Sequence, residues 1–271
     1  MNKRIAFLGA GSLAESIISG IIKSELIARK NIYVTNKSNM ARLEYMQERY
    51  QVQCSTDKNE LAKEADIIVL AMKPNDATDS IQSIKTYLNN SQLIISVIAG
   101  LSTEKMERAI GIDIPVMRVM PNTSALIGHS ATAISPGKYA TSEHVQETDQ
   151  LFQTVGLTKI VAEKDMHTVT AISGSGPAFI YYLVEAIEKA AVEAGMDLET
   201  ASELLAQTVI GAGKMLQESG KKPGVLRENI TSPGGTTEAG IEVLKRHEFQ
   251  EMMISCIHEA RHRSIELGNS K

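Results

Sequence analysis

The residues best suited to chemistry form a short glycine-rich motif near the start of the chain. The motif comprises Gly9, Ala10, Gly11, Ser12, Leu13 and Ala14, between an apolar run and an amphipathic stretch. In such a G-x-G-x-x-A turn, Gly9 permits the tight bend, Gly11 admits a pyrophosphate to the backbone, and Ala14 allows close helix–strand packing. The pyrophosphate would lie on unpaired N–H groups at the positive helix end. The motif therefore predicts a dinucleotide site; the alternative is a glycine-rich turn without a nucleotide.

The end of the second apolar run indicates which dinucleotide is bound. NAD sites usually carry Asp or Glu here, on the ribose 2′-hydroxyl. This chain has Thr35-Asn36-Lys37-Ser38, with no carboxylate to repel a 2′-phosphate. Asn36 and Lys37 could bind that phosphate. We therefore predict NADPH as the cofactor, with NADH as a weaker alternative; otherwise Lys37 is a solvated loop cation.

Two further loops follow apolar runs where folds of this kind bind ligands. One contains Ala71, Lys73 and Pro74, and the other contains Met120, Pro121 and Asn122. Asn122 could form a hydrogen bond with a nicotinamide amide or a ribose. Taken alone, either loop also fits ordinary turn chemistry.

The second half of the chain carries two more glycine-rich signatures. Ser173-Gly174-Ser175-Gly176-Pro177-Ala178 leads into a long apolar stretch, and Ser232-Pro233-Gly234-Gly235-Thr236-Thr237 precedes a helical stretch at 238–246. A Gly-Gly turn at a helix start suits a small anion such as a carboxylate. The Thr236 and Thr237 N–H groups and hydroxyls would be the donors. The alternative is a capped helix without a ligand.

A third pattern, His258-Glu259-Ala260-Arg261-His262, fits the zinc motif H-E-x-x-H. A catalytic zinc needs a third protein ligand, and only Glu266 follows, one turn on. We therefore predict no metal site and a solvated, charge-rich helix.

The elements that must position these motifs follow two patterns. Short apolar runs alternate with amphipathic stretches over the first 160 residues, which predicts a largely parallel sheet with helices on both faces. The predicted strands cover 5–8, 32–35, 52–54, 67–71, 93–97, 116–120, 131–134 and 159–161.

Beyond about residue 165 the pattern becomes helical. The stretch 177–217 is Ala-rich and apolar on more than one face, interrupted near Gly195-Met196-Asp197. A helix of that kind must be buried, and a second subunit is the natural cover. We predict an α/β Rossmann dinucleotide-binding domain over 1–163 and an all-α substrate-binding and dimerisation domain over 164–271.

Composition narrows the classes of protein. The 271 residues carry a net charge of −4 and 4% aromatics, which disfavours a nucleic-acid partner. No apolar run reaches the roughly 18 residues that span a bilayer, so no membrane partner is expected. Two distant cysteines favour a reducing compartment, and we expect a cytoplasmic protein.

Taken together, GAGSLA, AMKP, RVMPNT, SGSGPA and SPGGTT, in this order and spacing, resemble the Δ1-pyrroline-5-carboxylate reductase family. The resemblance covers essentially the whole chain. It implies hydride transfer from NAD(P)H to a cyclic imino acid, the last step of proline biosynthesis. It also implies an N-terminal Rossmann domain and a helical domain that interlocks with a partner's, in homodimers that often assemble into decamers.

The resemblance also assigns roles to the motif residues. Gly9 to Ala14 would hold the pyrophosphate, and Asn36 and Lys37 the 2′-phosphate. The residues expected to border the ribose and nicotinamide are Ala71, Lys73, Pro74, Met120, Pro121 and Asn122, and those expected to hold the substrate carboxylate and ring are Ser232, Gly235, Thr236 and Thr237. One departure is Met166-His167, which stands where the family often has Asp-Ala.

Thr237 is the expected catalytic residue, as a hydrogen-bond partner of the ring nitrogen. Three other interpretations stay open at this point. They are a reductase of a different imine or keto substrate, a non-catalytic nucleotide-binding paralogue, and a zinc protease built on His258 and His262.

Overall fold

The computed structural model describes residues 1–269 and divides into two compact units. The first comprises Met1–Ser175 and the segment that begins at Glu259, and the second comprises Gly176–His258. The predicted boundary at 163/164 differs from this division, because the residues up to Ser175 pack with the first unit. The boundary of the functional domains remains a prediction.

The first unit is built on one eight-stranded sheet with the order β3-β2-β1-β4-β5-β6-β7-β8. Its strands are Ile5–Leu8 (β1), Ile32–Thr35 (β2), Gln53–Ser55 (β3), Ile67–Leu70 (β4), Leu93–Ser96 (β5), Val116–Met120 (β6), Ser130–Pro136 (β7) and Gly156–Ile160 (β8). The order of β1 to β6 is that of a doubly wound dinucleotide-binding sheet. All neighbouring strands are parallel except β6 and β7.

Helices cover both faces of this sheet. Those of the first unit are Ser12–Lys23 (α1), Met40–Tyr50 (α2), Lys58–Glu64 (α3), Pro74–Ile84 (α4), Thr103–Ile110 (α5), Ser142–Gln153 (α6) and Met166–Val169 (α7), the last continuing as a π-helix over Thr170–Gly174. Successive residues of β1 alternate between the two cores. Ile5 and Phe7 face the core beneath α1, α2 and α6, while Ala6 and Leu8 face the core beneath α3, α4 and α5.

The sequence correctly predicts the strands of the central sheet, and the differences lie at its edges. Strand β8 begins three residues earlier than expected and stops before Val161. Its side chains at Leu157 and Ile160 are exposed, so the continuous apolar run that marks a doubly covered strand is missing. Strands β6 and β7 can pair antiparallel because a short connection, with a 3₁₀-helix over Thr123–Ile127 and no crossover α-helix, joins them.

The second unit is entirely helical. Its helices are Gly176–Glu193 (α8), Leu198–Glu218 (α9), Pro223–Asn229 (α10), Thr236–Arg246 (α11) and the first part of Phe249–Asn269 (α12). Gly195, with φ of 93°, closes the turn between α8 and α9 as the sequence break predicts. A hydrogen bond of 2.5 Å from Ser202 Oγ to Glu188 Oε1 ties the two helices together.

Many large apolar side chains of this unit are exposed. No residue of α8 is buried, and Tyr182 is 77% exposed. Other exposed side chains on α8 and α9 are Ile180, Tyr181, Leu183, Ile187, Leu204, Ile210, Met215 and Leu216. An apolar surface of this extent marks a protein–protein interface.

The end of α12 returns to the first unit. Gly100, with φ of 81°, and Gly268 meet backbone to backbone, since a Cβ on Gly268 would lie 2.5 Å from Gly100 O. Lys105 donates to Gly268 O, and Arg261 Nε donates to Thr168 Oγ1 at 3.2 Å. Among the helices of residues 1–269, none combines the length and apolar content needed to cross a bilayer.

Candidate cofactor and substrate sites

The predicted dinucleotide turn joins β1 to α1. Gly9 has φ of 119°, donates its N–H to Thr35 O at 3.0 Å, and lies so close to Ala71 O that a Cβ would overlap it. Gly11 is the N-cap of α1, and a Cβ added there would meet no atom within 4 Å. Gly9 therefore serves the packing of the turn. Gly11 leaves open space above the uncapped N–H groups of α1, a cradle that fits a pyrophosphate.

The loop after β2 is shaped by an asparagine. Asn36 Oδ1 accepts the Ser38 N–H at 3.2 Å and the Asn39 N–H at 3.0 Å, which folds the loop back on itself. Lys37 beside it is 89% exposed, and its Nζ lies 4.0 Å from Asp76 Oδ1. The oxygen of Asn36 therefore shapes the loop, while the ammonium group of Lys37 extends into solvent.

The loop after β4 runs directly beside the dinucleotide turn. Ala71 N–H donates to Leu8 O at 3.0 Å, which extends the pairing of β1 and β4 by one residue. Lys73 is the exposed N-cap of α4, and Pro74 occupies its first turn. The N–H that proline lacks has no helical partner at this position, so Pro74 costs no hydrogen bond.

Asn122, in the loop after β6, forms hydrogen bonds with three other segments of the first unit. Its Oδ1 accepts the Ser124 N–H at 3.1 Å, its Nδ2 donates to Ser173 O at 3.0 Å, and its N–H donates to Ser130 Oγ at 3.1 Å. One amide thus joins the RVMPNT loop to the SGSGPA signature, a link that the sequence reading did not foresee.

A small open cavity lies at the start of α1, beside the loop after β6 and the π-helix. Its volume is about 170 Å³, and its walls include Ser12, Leu13, Pro121, Asn122 and Gly174. Gly174 belongs to the π-helix, and a Cβ there would lie 2.8 Å from Met120 Cε. The π-helical turn, closed by the Ser175 N–H to Thr170 O hydrogen bond of 2.9 Å, therefore brings the SGSGPA signature against the RVMPNT loop.

A charged cluster that the sequence analysis missed lies next to the dinucleotide turn. Arg42 Nε donates to Ala10 O at 2.7 Å, and its Nη2 pairs with Glu15. Tyr50 and Tyr45 donate to the other oxygen of Glu15 at 2.7 and 3.0 Å. Burial opposes ionisation of Glu15, but the hydrogen bonds from Arg42 and the tyrosines outweigh it, so its pKa lies below the ordinary value. These residues are 27 to 35 positions apart, and no local motif signals the cluster.

A second network supports the residues before the π-helix. Arg118 on β6 is 1% exposed and pairs with Glu163 Oε1 at 2.6 Å. His167 Nδ1 lies 2.9 Å from the buried Ser264 Oγ on α12. Burial, and then the Arg118 charge, lower the pKa of His167, so its neutral form is favoured. The hydrogen bond between His167 and Ser264 thus links the end of α12 to α7.

The SPGGTT signature forms the N-terminus of α11, as predicted. Gly235 is the N-cap and has no side chain to cap the helix, and its N–H donates to Ser232 O at 3.0 Å. Gly234, with φ of 72°, donates its N–H to Glu238 Oε2 at 2.7 Å. Thr236 and Thr237 begin the helix, and N–H groups in a first turn have no helical acceptor. The turn therefore presents backbone donors and two hydroxyls together.

The H-E-x-x-H residues lie on α12. His262 Nδ1 lies 3.6 Å from Glu266 Oε1, one turn along the same helix. Within residues 1–269, no group of three His, Cys, Asp or Glu side chains is arranged to hold a metal ion.

Family models match both parts of the chain. One described as pyrroline-5-carboxylate reductase dimerisation matches residues 163–267, and one described as NADP oxidoreductase coenzyme F420-dependent matches residues 4–100. Pyrroline-5-carboxylate reductase 2 of Bacillus subtilis is 48% identical over 98% of this chain and 95% of its own length. The pyrroline-5-carboxylate reductase of Staphylococcus haemolyticus is 37% identical over 99% of both chains.

Solved structures agree with these matches. A pyrroline-5-carboxylate reductase from Coxiella burnetii is 32% identical, with a TM-score of 0.92 over the full length of both chains. The Plasmodium falciparum pyrroline carboxylate reductase with NADP bound is 31% identical, with a TM-score of 0.89 over 98% of both. A prephenate dehydrogenase from A. aeolicus, 13% identical with a TM-score of 0.57, shares the fold alone.

A doubly wound sheet, a glycine turn open above a helix start and a separate helical unit define an NAD(P)H-dependent oxidoreductase. The matched model of the first unit names the same class. Identity of 37 to 48% over nearly the whole length then settles the family. The chain belongs to the pyrroline-5-carboxylate reductases.

Proposed function

We propose that the protein reduces 1-pyrroline-5-carboxylate to proline, with hydride supplied by NAD(P)H and NADPH preferred. The observation that carries the substrate assignment is the N-terminus of α11. Gly235 is an N-cap without a side chain, so the first-turn N–H groups are left for a ligand carboxylate. A side-chain cap would compete with the carboxylate for one of these N–H groups.

The cofactor end of the site rests on the dinucleotide turn and its neighbours. The cradle above Gly11 fits the pyrophosphate, and Lys37 beside Asn36 fits the 2′-phosphate that distinguishes NADPH. The walls of the cavity at Ser12, Pro121 and Asn122 would border the nicotinamide end. We include Ala71, Lys73 and Pro74 as neighbours of the ribose, since their loop contacts Gly9.

The substrate end rests on residues 232–237. The Thr236 and Thr237 N–H groups would receive the carboxylate, and Ser232 and Gly235 would shape the turn around it. The Gly234 and Gly235 N–H groups donate to Glu238 and Ser232 and hold the turn, so we assign Gly235 to the substrate site through the turn that it shapes.

The proposed reaction requires the protein to orient the imine ring and to provide a hydrogen-bond partner for its nitrogen. The chemistry that NAD(P)H would supply when bound is a hydride for ring carbon C5 of the imine, and the ring nitrogen would then take a proton. Anchoring the carboxylate at the N-terminus of α11 would fix the orientation of the imine ring. The Thr237 hydroxyl is the catalytic group that we assign to the ring nitrogen as a hydrogen-bond partner. Because a neutral hydroxyl is a weak acid, a pre-protonated imine or water would supply the proton.

The exposed apolar faces of α8 and α9 support a homodimer, and their matched family model carries dimerisation in its description. Further assembly into a decamer belongs to the same proposal, and sedimentation of the purified protein tests both states. A cytoplasmic location is proposed because Cys54 and Cys256 are both free thiols.

The deciding experiment is a steady-state assay with 1-pyrroline-5-carboxylate and each cofactor in turn. We expect oxidation of NADPH with a larger kcat/KM than of NADH, and proline as the product. A six-membered cyclic imine serves as the comparison substrate. Cofactor binding without turnover would instead indicate a non-catalytic paralogue, and faster turnover of the six-membered ring would indicate a different imine reductase.

A further inference from the structure

We propose that Arg42 is a positioning residue for the dinucleotide turn, acting by bracing Ala10 and by cancelling the charge of Glu15. The proposal rests on the proposed use of NAD(P)H. It concerns neither the 2′-phosphate nor the imine, and it assigns a task to a residue outside every recognised motif.

The side chain of Arg42 contacts the dinucleotide turn directly. Its Nε donates to Ala10 O at 2.7 Å, between Gly9, which packs against Ala71, and Gly11, where the pyrophosphate would approach. The backbone of Arg42 is held at the start of α2, because its backbone N–H donates to Asn39 Oδ1 at 3.0 Å. The guanidinium also lies 5.0 Å from the centre of the Tyr45 ring. Arg42 therefore links the loop after β2 to the loop after β1.

Arg42 also forms an ion pair with Glu15, which places its charge beside the proposed pyrophosphate site. Glu15 lies in the first turn of α1, at the helix end that would receive the pyrophosphate. An uncompensated carboxylate there would repel a ligand with two or more negative charges. Arg42 pairs with it, and the side chains of Arg42 and Glu15 are only 24% and 15% exposed, so solvent screens the pair weakly. The low pKa of Glu15 keeps this carboxylate charged at neutral pH.

Both functions predict a loss that NADPH and NADH share, because the pyrophosphate is common to them. We expect R42M to raise the dissociation constant of each cofactor about tenfold, from one lost charged hydrogen bond and one exposed carboxylate. The double variant R42M/E15Q should recover the part of that loss that comes from the repulsive charge, while the part that comes from the missing hydrogen bond to Ala10 should remain. Raising the salt concentration should narrow the difference between R42M and wild type.

Binding is measured by the fluorescence of the reduced cofactors, which is simple in a chain without tryptophan. The matched control is R108M, which removes an exposed arginine paired with Glu104 at 2.5 Å on α5. It should leave both dissociation constants unchanged. Thermal unfolding of every variant shows whether it is folded.

Three results would overturn the proposal. The first is unchanged binding of both cofactors by R42M, and the second is a loss confined to NADPH, which would make Arg42 a 2′-phosphate ligand. The third is a failure of E15Q to restore binding, which would leave a merely structural role. Should R42M not fold, R42K replaces it, with a loss of about threefold expected for both cofactors and an unchanged constant counting against the proposal. Cofactor binding without imine reduction in wild type would refute the proposed function and leave the Arg42 test readable.

Discussion

Replacing Gly11 with alanine separates the stability of the dinucleotide turn from its use. A Cβ at Gly11 meets no atom within 4 Å, and its φ of −72° is one that alanine adopts without strain. Alanine lowers the entropy of the unfolded chain, which stabilises the fold by about 0.4–1 kcal/mol. Alanine is also a poorer N-cap than glycine, by roughly a similar amount. The two effects offset each other, so the melting temperature should move by less than about 4 °C.

Binding of the cofactor should respond very differently. The added methyl group would occupy the space above the first turn of α1, where the pyrophosphate approaches the backbone. We expect G11A to weaken NADPH and NADH alike by at least tenfold, about 1.4 kcal/mol. Cofactor fluorescence titration and thermal unfolding of the same sample measure the two effects.

Gly9 offers the matched control. Alanine there must adopt a φ of 119° and overlap the carbonyl oxygen of Ala71, so G9A should cost at least about 2 kcal/mol of stability. If G11A binds both cofactors as wild type does, no pyrophosphate lies over this turn and the cradle argument is wrong. If G11A is destabilised as much as G9A, the assignment of open space at Gly11 is wrong.

Three further predictions test other parts of the molecule. Thr237→Ala should lower kcat/KM for the imine by about 1–3 kcal/mol, the effect of one unmade hydrogen bond, while Thr237→Ser retains most of it; unchanged kinetics would remove Thr237 from the mechanism. Lys37→Ala should raise the KM of NADPH and leave that of NADH unchanged, and equal effects on both would show that Lys37 does not bind the 2′-phosphate. His167 has a lowered pKa in the folded protein, so the unfolded chain binds more protons, and the free energy of unfolding should decrease as pH falls below about 6.5. In His167→Gln, which keeps a hydrogen-bonding side chain toward Ser264, denaturant unfolding should show a weaker pH dependence; an unaltered one would assign it to other groups.

Sequence patterns predict the sheet well where strands are covered on both faces. The runs at β1, β4 and β5 are continuous and apolar because each strand contacts two cores. The pattern fails at β8, where the side chains of Leu157, Lys159 and Ile160 are exposed. The antiparallel β7 has no local signature either, because strand direction depends on the length of the connection and not on the strand's own residues.

The candidate site divides in the same way. Glycine motifs are readable because backbone conformation, as at Gly9 and Gly234, restricts the residue type locally. The pairing of Arg42 with Glu15 could not be predicted from the sequence, because the two residues are 27 positions apart and share no local motif. The structural role of Asn122 is not readable from the sequence: its amide forms hydrogen bonds with Ser124 and Ser173, and its contact with nicotinamide remains a prediction.

The return of α12 to the first unit sets an order of events during synthesis. The segment from Glu259 emerges from the ribosome after the whole of Gly176–His258, yet it packs with residues that precede that unit in the chain. The backbone contact of Gly100 with Gly268 and the hydrogen bond between His167 and Ser264 can therefore form only after Gly176–His258 has been synthesised. Until the segment from Glu259 has been synthesised, the surface around Gly100 that it contacts stays exposed. A C-terminal fusion or a stalled ribosome that holds this segment back would delay completion of the nucleotide-binding unit, although its sheet is already translated.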